Sequence, residues 1–247
     1  MICQVYDLGL LDYDTAWELQ ARLAAEIAAG ERPPTLLLLE HPHIYTFGRR
    51  GREENLLWDE AELRRRGIAV RWVDRGGDVT YHGPGQLVGY PLLPLGRVDS
   101  ASHLPQADYV GYLRRLEQTL ILALARLGLE TFRLEGKTGV WVQREAQDQR
   151  AGRGPGARRK AAKVAAIGVK VDARGVSRHG FALNVHPDMS YWEGIIACGL
   201  VGHPVTSLAE LLPEPPDMAR VKAEVITAFG EVFNYEIKRG VSPLQGN

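Results

Sequence analysis

Arg75-Gly76-Gly77-Asp78-Val79-Thr80-Tyr81-His82-Gly83-Pro84-Gly85-Gln86 decides how this chain is read. Four glycines and a proline in twelve residues cannot continue a helix or a regular strand. The apolar segment before it, Ile68 to Val73, reads as a strand, and so does Leu87 to Leu93 after it. The stretch is therefore expected to form a tight, glycine-lined loop that holds Arg75, Tyr81 and His82 between two strands. Such a loop brings backbone close to a ligand while a few polar side chains fix its orientation. A plain hairpin turn needs one or two glycines and no Tyr-His pair.

Strand and helix signals mix on both sides of this stretch. The first ten residues alternate like a strand. Asp12 or Asp14 is placed to cap a helix in which Tyr13, Trp17, Ala21, Ala24 and Ala28 recur at helical spacing, and Gly30 with Pro33-Pro34 ends it. Thr35 to Leu39 reads as a buried strand, and His41 and His43 beyond it are expected to flank a bend rather than bind zinc. A short charged helix spans Trp58 to Arg66 and stops at Gly67. The longest helix is expected over about Gln106 to Leu127, with Val110, Leu113, Leu116, Leu120, Leu124 and Leu127 on one face and Gly128 at its end. Strands dominate from Glu130 to Val185, and helices return near Ser207 to Leu212 and Asp217 to Phe233. Without a strict βαβ repeat, this order predicts an α+β fold with a mixed sheet and packed helices. Its 247 residues suffice for a single domain. Glu145 to Ala162 breaks the pattern: Gln, Arg, Gly, Pro and Ala dominate, so it reads as a solvated loop inside a hairpin or between two strands. Its cations (Arg150, Arg153, Arg158, Arg159, Lys160) either steer an acidic partner or belong to an insertion without a role.

Composition excludes several classes. Acidic and basic residues balance at 30 each, so the chain is no polyelectrolyte seeking nucleic acid or a membrane surface. No apolar run approaches the ~20 residues needed to cross a bilayer. The N-terminus has no basic segment followed by an apolar core, so a cytoplasmic location is expected. Cys3 and Cys198 lie far apart, form no CxxC, and are expected to stay reduced. Arg outnumbers Lys 24 to 6, so a retained Lys hints at chemistry that needs a removable proton. Lys163, at the start of an apolar strand-like run, is the best candidate, although a surface strand residue is an equal reading of it alone. Cys198 sits in Gly194-Ile195-Ile196-Ala197-Cys198-Gly199; taken alone, a Cys among Ile and Ala reads as a small buried hydrophobe.

The segment RGGDVTYHGPGQLVGYPLL resembles the central motif of the lipoyl(octanoyl) transferases. Other stretches are similar to the same family in the same order: Leu39-Glu40-His41-Pro42-His43-Ile44-Tyr45-Thr46-Phe47-Gly48-Arg49, Gly139-Val140-Trp141-Val142, Lys163-Val164-Ala165-Ala166-Ile167-Gly168-Val169, His179-Gly180-Phe181-Ala182-Leu183-Asn184, and Ile196-Ala197-Cys198-Gly199-Leu200 with Val205-Thr206-Ser207-Leu208. The resemblance runs from about Leu36 to Leu208. It implies the architecture of biotin and lipoate protein ligases. It implies an acyltransferase of lipoate biosynthesis that moves an octanoyl (or lipoyl) group from acyl carrier protein to a lysine ε-amine. The acceptors would be lipoyl domains of 2-oxoacid dehydrogenases and the glycine cleavage H protein. No cofactor and no metal is implied. By the same resemblance Cys198 is the acyl-thioester nucleophile and Lys163 the catalytic lysine. The 75–82 stretch (Arg75, Gly76, Gly77, Asp78, Val79, Thr80, Tyr81, His82), Ala166-Ile167-Gly168 and Gly180-Phe181-Ala182 would contact substrate. His82 would hydrogen-bond near the thioester or support the loop. The rival is an ATP-dependent lipoate or biotin protein ligase of the same fold, which also uses a lysine at this position but needs no nucleophilic thiol.

Overall fold

The computed structural model describes residues 1–96, 108–145, 159–197 and 203–244, and in it the apolar segments pair into two sheets. The larger holds β1 (Ile2–Leu10), β2 (Thr35–Glu40), β6 (Gln86–Leu92), β7 (Phe132–Leu134), β8 (Lys137–Glu145), β9 (Arg159–Val171), β10 (Ser177–Asn184) and β11 (Glu236–Arg239). Its order is β11-β1-β2-β6-β10-β9-β8-β7. The β11-β1-β2 neighbours run parallel and the remaining pairs antiparallel, so the sheet is mixed as expected. The smaller sheet joins β3 (Ile44–Phe47), β4 (Ala69–Trp72) and β5 (Val79–His82) in the order β4-β3-β5.

Five α-helices are described: α1 (Tyr13–Ala29), α2 (Glu60–Arg65), α3 (Tyr109–Arg126), α4 (Leu208–Leu211) and α5 (Met218–Phe233). Asp12, Asp108 and Asp217 each accept a backbone N–H at the first turn of α1, α3 and α5, which is why those helices begin there. Two expected stripes shift. In α1 the buried face is Tyr13, Ala16, Leu19, Gln20, Leu23, Ala24 and Ile27, and Ala21 points to solvent. In α3, Leu116, Leu120 and Leu124 are buried, but Val110 is 67% exposed. It lies six residues before Leu116, about 120° off the buried stripe.

The period-2 alternation of the large sheet splits its side chains between two layers. Leu36 and Leu38 of β2, Leu87 of β6 and Val164 of β9 pack with α3 and α5. Leu37, Leu39, Val88 and Tyr90 point the other way, onto α1. The small sheet has its own core with Leu63 of α2, built on Tyr45, Phe47, Val79 and Tyr81.

Two expectations are corrected. Val79 to His82 is not loop but the strand β5, paired with β3 through Tyr45↔Tyr81 and Thr46↔Thr80. The glycines flank these four residues and leave them free to extend. The 145–162 loop is also shorter than expected: Arg159 to Ala162 already pair with β8. Residues 146–158 lie outside the described residues, as does Gln106 at the expected start of α3.

Candidate active site

Lys163 reaches its position through a β-bulge. Val140 pairs with Ala165 and Trp141 with Lys163, so one residue of β9, Val164, has no counterpart on β8. The extra residue breaks the alternation. Ala162, Val164 and Ala165 all point into the helix-packed core, and Lys163 turns to the opposite face with Ala166 and Gly168. Gly139 allows this. It adopts φ +123°, and a Cβ there would stand 2.7 Å from the Ala165 carbonyl oxygen and 3.3 Å from Lys163 Cε. Its N–H donates to the buried carboxylate of Glu117 at 3.1 Å. The Lys163 ammonium lies 4.8 Å from the centre of the Trp141 ring, and the residue is 8% exposed.

Three neighbouring spaces have Ala166 in their walls. A cleft of about 710 Å³ is lined by Arg50, Arg52, Gly76, Gly77, Lys137 and Lys163, among others. A narrow slot beside it is lined by Gly76, Thr80, His82, Gly168, Gly180 and Phe181, among others. A small chamber holds Lys163 with Thr80, Ala182, Asn184, Trp192, Ala197 and His203. The expected groups Ala166-Ile167-Gly168 and Gly180-Phe181-Ala182 therefore do converge with Arg75, Gly76, Gly77, Thr80 and His82. Asp78 lines the wide cleft, where its carboxylate accepts the Arg52 and Val79 N–H groups and Asn55 Nδ2. Val79 and Tyr81 do not face these spaces. On β5 they alternate with Thr80 and His82, and point into the aromatic core of the small sheet. There the Tyr81 hydroxyl is hydrogen-bonded to His43 at 2.8 Å.

Buried polar groups brace the slot. Arg75 donates to the Thr46 hydroxyl at 2.9 Å and to the Gly76 carbonyl at 3.0 Å. His82 Nδ1–H donates to Gln86, whose amide donates to Asn184, which in turn donates to the Thr206 carbonyl. Thr206 N–H donates to the Lys163 carbonyl, and Lys163 N–H to the Pro204 carbonyl. This relay clamps the 203–207 segment against β9 beside Lys163. His41 donates from Nδ1 to the Leu11 carbonyl and accepts the Tyr90 hydroxyl at Nε2, each at 2.7 Å. It therefore bonds within the protein between β2 and β3, in keeping with the bend expected there.

Burial holds these histidines neutral. It pushes His41 down to about 4 and His82 well below its ordinary value. It lowers His179 too, against the opposing hydrogen bond and charge of Asp74. Burial alone would raise Asp74, but hydrogen bonds from His179 and Lys170 and the Arg178 charge leave it well below the carboxylate range. Unfolded histidines, with a pKa near ~6.5, bind protons that the folded ones refuse. The unfolded state thus holds more protons between about 6.5 and about 4, and stability must fall as pH falls through that window. The urea midpoint is expected to be lower at pH 5 than at pH 7; equal midpoints would contradict neutral buried histidines.

Cys198 lies outside the described residues. The chain leading to it is fixed: Leu56 bridges Ile195, and Ile196 N–H donates to the Asn55 carbonyl. Ala197, its neighbour in sequence, and His203 both line the chamber of Lys163. Cys3 has a different setting. It is fully buried in the main core, and burial raises its thiol to about 12, so it stays protonated and inert. Sequence reasoning missed Arg50, Arg52, Lys137, Trp192 and His203 as lining residues. Arg50, Arg52 and His203 come from connections, Trp192 from a short 3₁₀ helix and Lys137 from the first position of β8, none of them marked by a pattern of its own.

The chain matches the family described as the lipoyl protein ligase A/B catalytic domain over residues 12–230. It is 45% identical over 232 residues to an octanoyltransferase of Chloroflexus aurantiacus, covering 94% of each chain. It is 47% identical over 226 residues to an octanoyltransferase of Syntrophotalea carbinolica, covering 92% of each. Among solved structures it is similar to a bi-partite lipoate protein ligase from Thermoplasma acidophilum (TM-score 0.69, 15% identity, 99% of this chain and 89% of that one). It is also similar to a lipoate-protein ligase A bound with ATP (TM-score 0.66, 15% identity, 99% and 91%). At that identity the ligase likeness shows the fold. Among the described residues no helix is long and apolar enough to cross a membrane.

Proposed function

The chain belongs to the octanoyltransferases of the lipoyl protein ligase A/B catalytic family, and we propose that it works through a thioester on Cys198 assisted by Lys163. The donor is octanoyl-acyl carrier protein and the acceptor is a lysine of a lipoyl domain. Residues 1–247 act together as one acyltransferase domain. The observation that carries this reading is the chamber in which the nearly buried Lys163 faces Ala197 and His203, the described residues on either side of the Cys198 segment.

Chemistry follows from those groups. A lysine ammonium beside a thiol stabilises the thiolate, which is the nucleophile. The sulfur attacks the thioester carbonyl, the new C–S bond forms, and the carrier's C–S bond breaks. The carrier sulfur leaves with a proton. One thioester replaces another, so this step is nearly balanced in energy. An acceptor amine then attacks the acyl-enzyme, a C–N bond forms, and the Cys198 sulfur leaves. The amine's surplus proton passes through Lys163 to the departing thiolate. An amide is far more stable than a thioester, so the second step pulls the sequence forward without ATP. The slot that passes over Gly168 and Gly180, paired neighbours on β9 and β10, suits an extended alkyl chain, and each buried CH₂ contributes about 0.8 kcal/mol.

Intact-mass spectrometry tests this directly. Mixed with octanoyl-acyl carrier protein alone, the protein is expected to gain one octanoyl group, and to lose it to an added lipoyl domain as a hydroxylamine-resistant amide. Absence of the adduct, with transfer only when ATP is supplied, would overturn the proposal.

A further inference from the structure

The wide cleft carries more positive charge than an acyl chain or a lysine acceptor requires. Arg50, Arg52, Lys137 and Lys163 line it against one carboxylate, Asp78, whose oxygens are already occupied by the Arg52 and Val79 N–H groups and Asn55. Arg50 and Lys137 have no ion-pair partner among the described residues. The one ion pair of Arg52, to Glu54 at 3.4 Å, is exposed on both sides and holds it weakly. Elsewhere the chain neutralises its arginines closely, as with Arg65 and Arg66 on Glu62 or Arg114 and Arg133 on Glu117. Arg50 and Lys137, with the weakly held Arg52, line one concavity, and such cations mark a site for an anion.

Position narrows the choice of anion. Arg50 and Arg52 are exposed, Lys137 is half-buried and Lys163 is buried, so the charge runs from the mouth to the reactive end. The loop bearing Arg50 and Arg52 is rigidly placed. The Gly48, Arg49 and Arg50 N–H groups donate to the carbonyls of Asp78, Arg75 and Gly77. A carrier-bound thioester hangs on a flexible pantetheine arm joined to its protein by a phosphodiester. With the thioester at Lys163, the arm must leave along this cleft. We infer that Arg50, Arg52 and Lys137 form a binding site for that phosphodiester, which positions the arm of the carrier. The inference rests on the thioester-donor reading above. It adds that the enzyme grips the arm's phosphate, beyond attracting an acidic carrier surface in general.

Donors of graded length separate these ideas. The probes are octanoyl-pantetheine, octanoyl-4′-phosphopantetheine and octanoyl-acyl carrier protein. For each, kcat/KM of Cys198 acylation is measured with the wild type, Arg50→Gln and Lys137→Gln. In the wild type, adding the phosphate is expected to raise kcat/KM by about tenfold or more, the size of one charge-assisted hydrogen bond. In each variant that ratio is expected to fall most of the way to one, and it should fall in step for the carrier itself. An equal loss on phosphorylated and unphosphorylated arms would overturn the site, since the cations would then act on the acyl or pantetheine part. A loss confined to the full carrier would also overturn it, assigning the cations to the carrier's protein surface. If none of the three donors acylates the wild type or either variant, the thioester reading itself fails, which is a distinct result.

Discussion

With Lys163 replaced by alanine, acylation of the enzyme by octanoyl-acyl carrier protein should slow by roughly 10²–10⁴-fold, the usual contribution of a positioned proton-transfer group. The bulge at Val164 turns this one side chain out of the core and into the chamber that Ala197 and His203 help to line. No other lysine lines that chamber among the described residues. The substitution removes the ammonium over Trp141, which contributes about 0.5–2 kcal/mol, so the fold should persist. Lys163→Arg separates charge from proton transfer. Arginine keeps the charge but does not give up its proton. If Lys163 must accept and return a proton, Arg will be nearly as slow as Ala; if charge suffices, Arg will recover much of the rate. Cys198→Ser should show no octanoyl adduct under the same conditions, because the serine hydroxyl is the weaker nucleophile. The measurement is quenched-flow acylation followed by mass, with thermal melts to confirm folding. An unchanged rate in Lys163→Ala would remove the lysine from the mechanism.

The sequence carried much of this site, but unevenly. Lys163 stood out because arginine does nearly every other cationic task in the chain. The glycine-rich stretch from Arg75 to Gln86 announced close backbone packing, and the structure places Gly76 and Gly77 on the wall of both the cleft and the slot. Its inner strand was hidden because four residues are too few for alternation to be recognised against so many glycines. For that reason Val79 and Tyr81 could not be told from Thr80 and His82, although the two pairs face opposite ways. The bulge on β9 was also hidden. A continuous run of small and apolar residues reads the same with or without one extra residue, and only Gly139, on the neighbouring strand, hinted at it. Arg50, Arg52 and Lys137 were not legible at all. A surface cation gains meaning only when the fold brings others beside it, and 85 residues separate Arg52 from Lys137.

Gly180→Ala should destabilise the protein by about 1–3 kcal/mol, the cost of forcing a methyl into a filled core. At about 2–4 °C per kcal/mol for a chain of this size, the melting temperature would fall by roughly 2–12 °C. A Cβ at residue 180 would lie 2.1 Å from the Gly89 carbonyl oxygen and 2.6 Å from the Pro91 ring. Neither group is the end of a flexible side chain, so β6 and β10 would have to move apart. They are bonded partners, with Phe181 opposite Gly89 and Ala182 opposite Val88. The same displacement would carry Phe181 and Ala182 with it, and both line the slot and its junction with the Lys163 chamber. Acylation should therefore weaken chiefly through KM for the octanoyl donor. Gly76→Ala is the control. It lines the same slot, but a Cβ there meets nothing closer than the Val169 carbonyl at 3.5 Å, an ordinary contact. Its melting temperature should stay within about 2 °C of the wild type, as for substitutions away from special features. If Gly76→Ala melts as early as Gly180→Ala, or if Gly180→Ala melts with the wild type, then close packing of β6 on β10 is not what shapes the acyl slot.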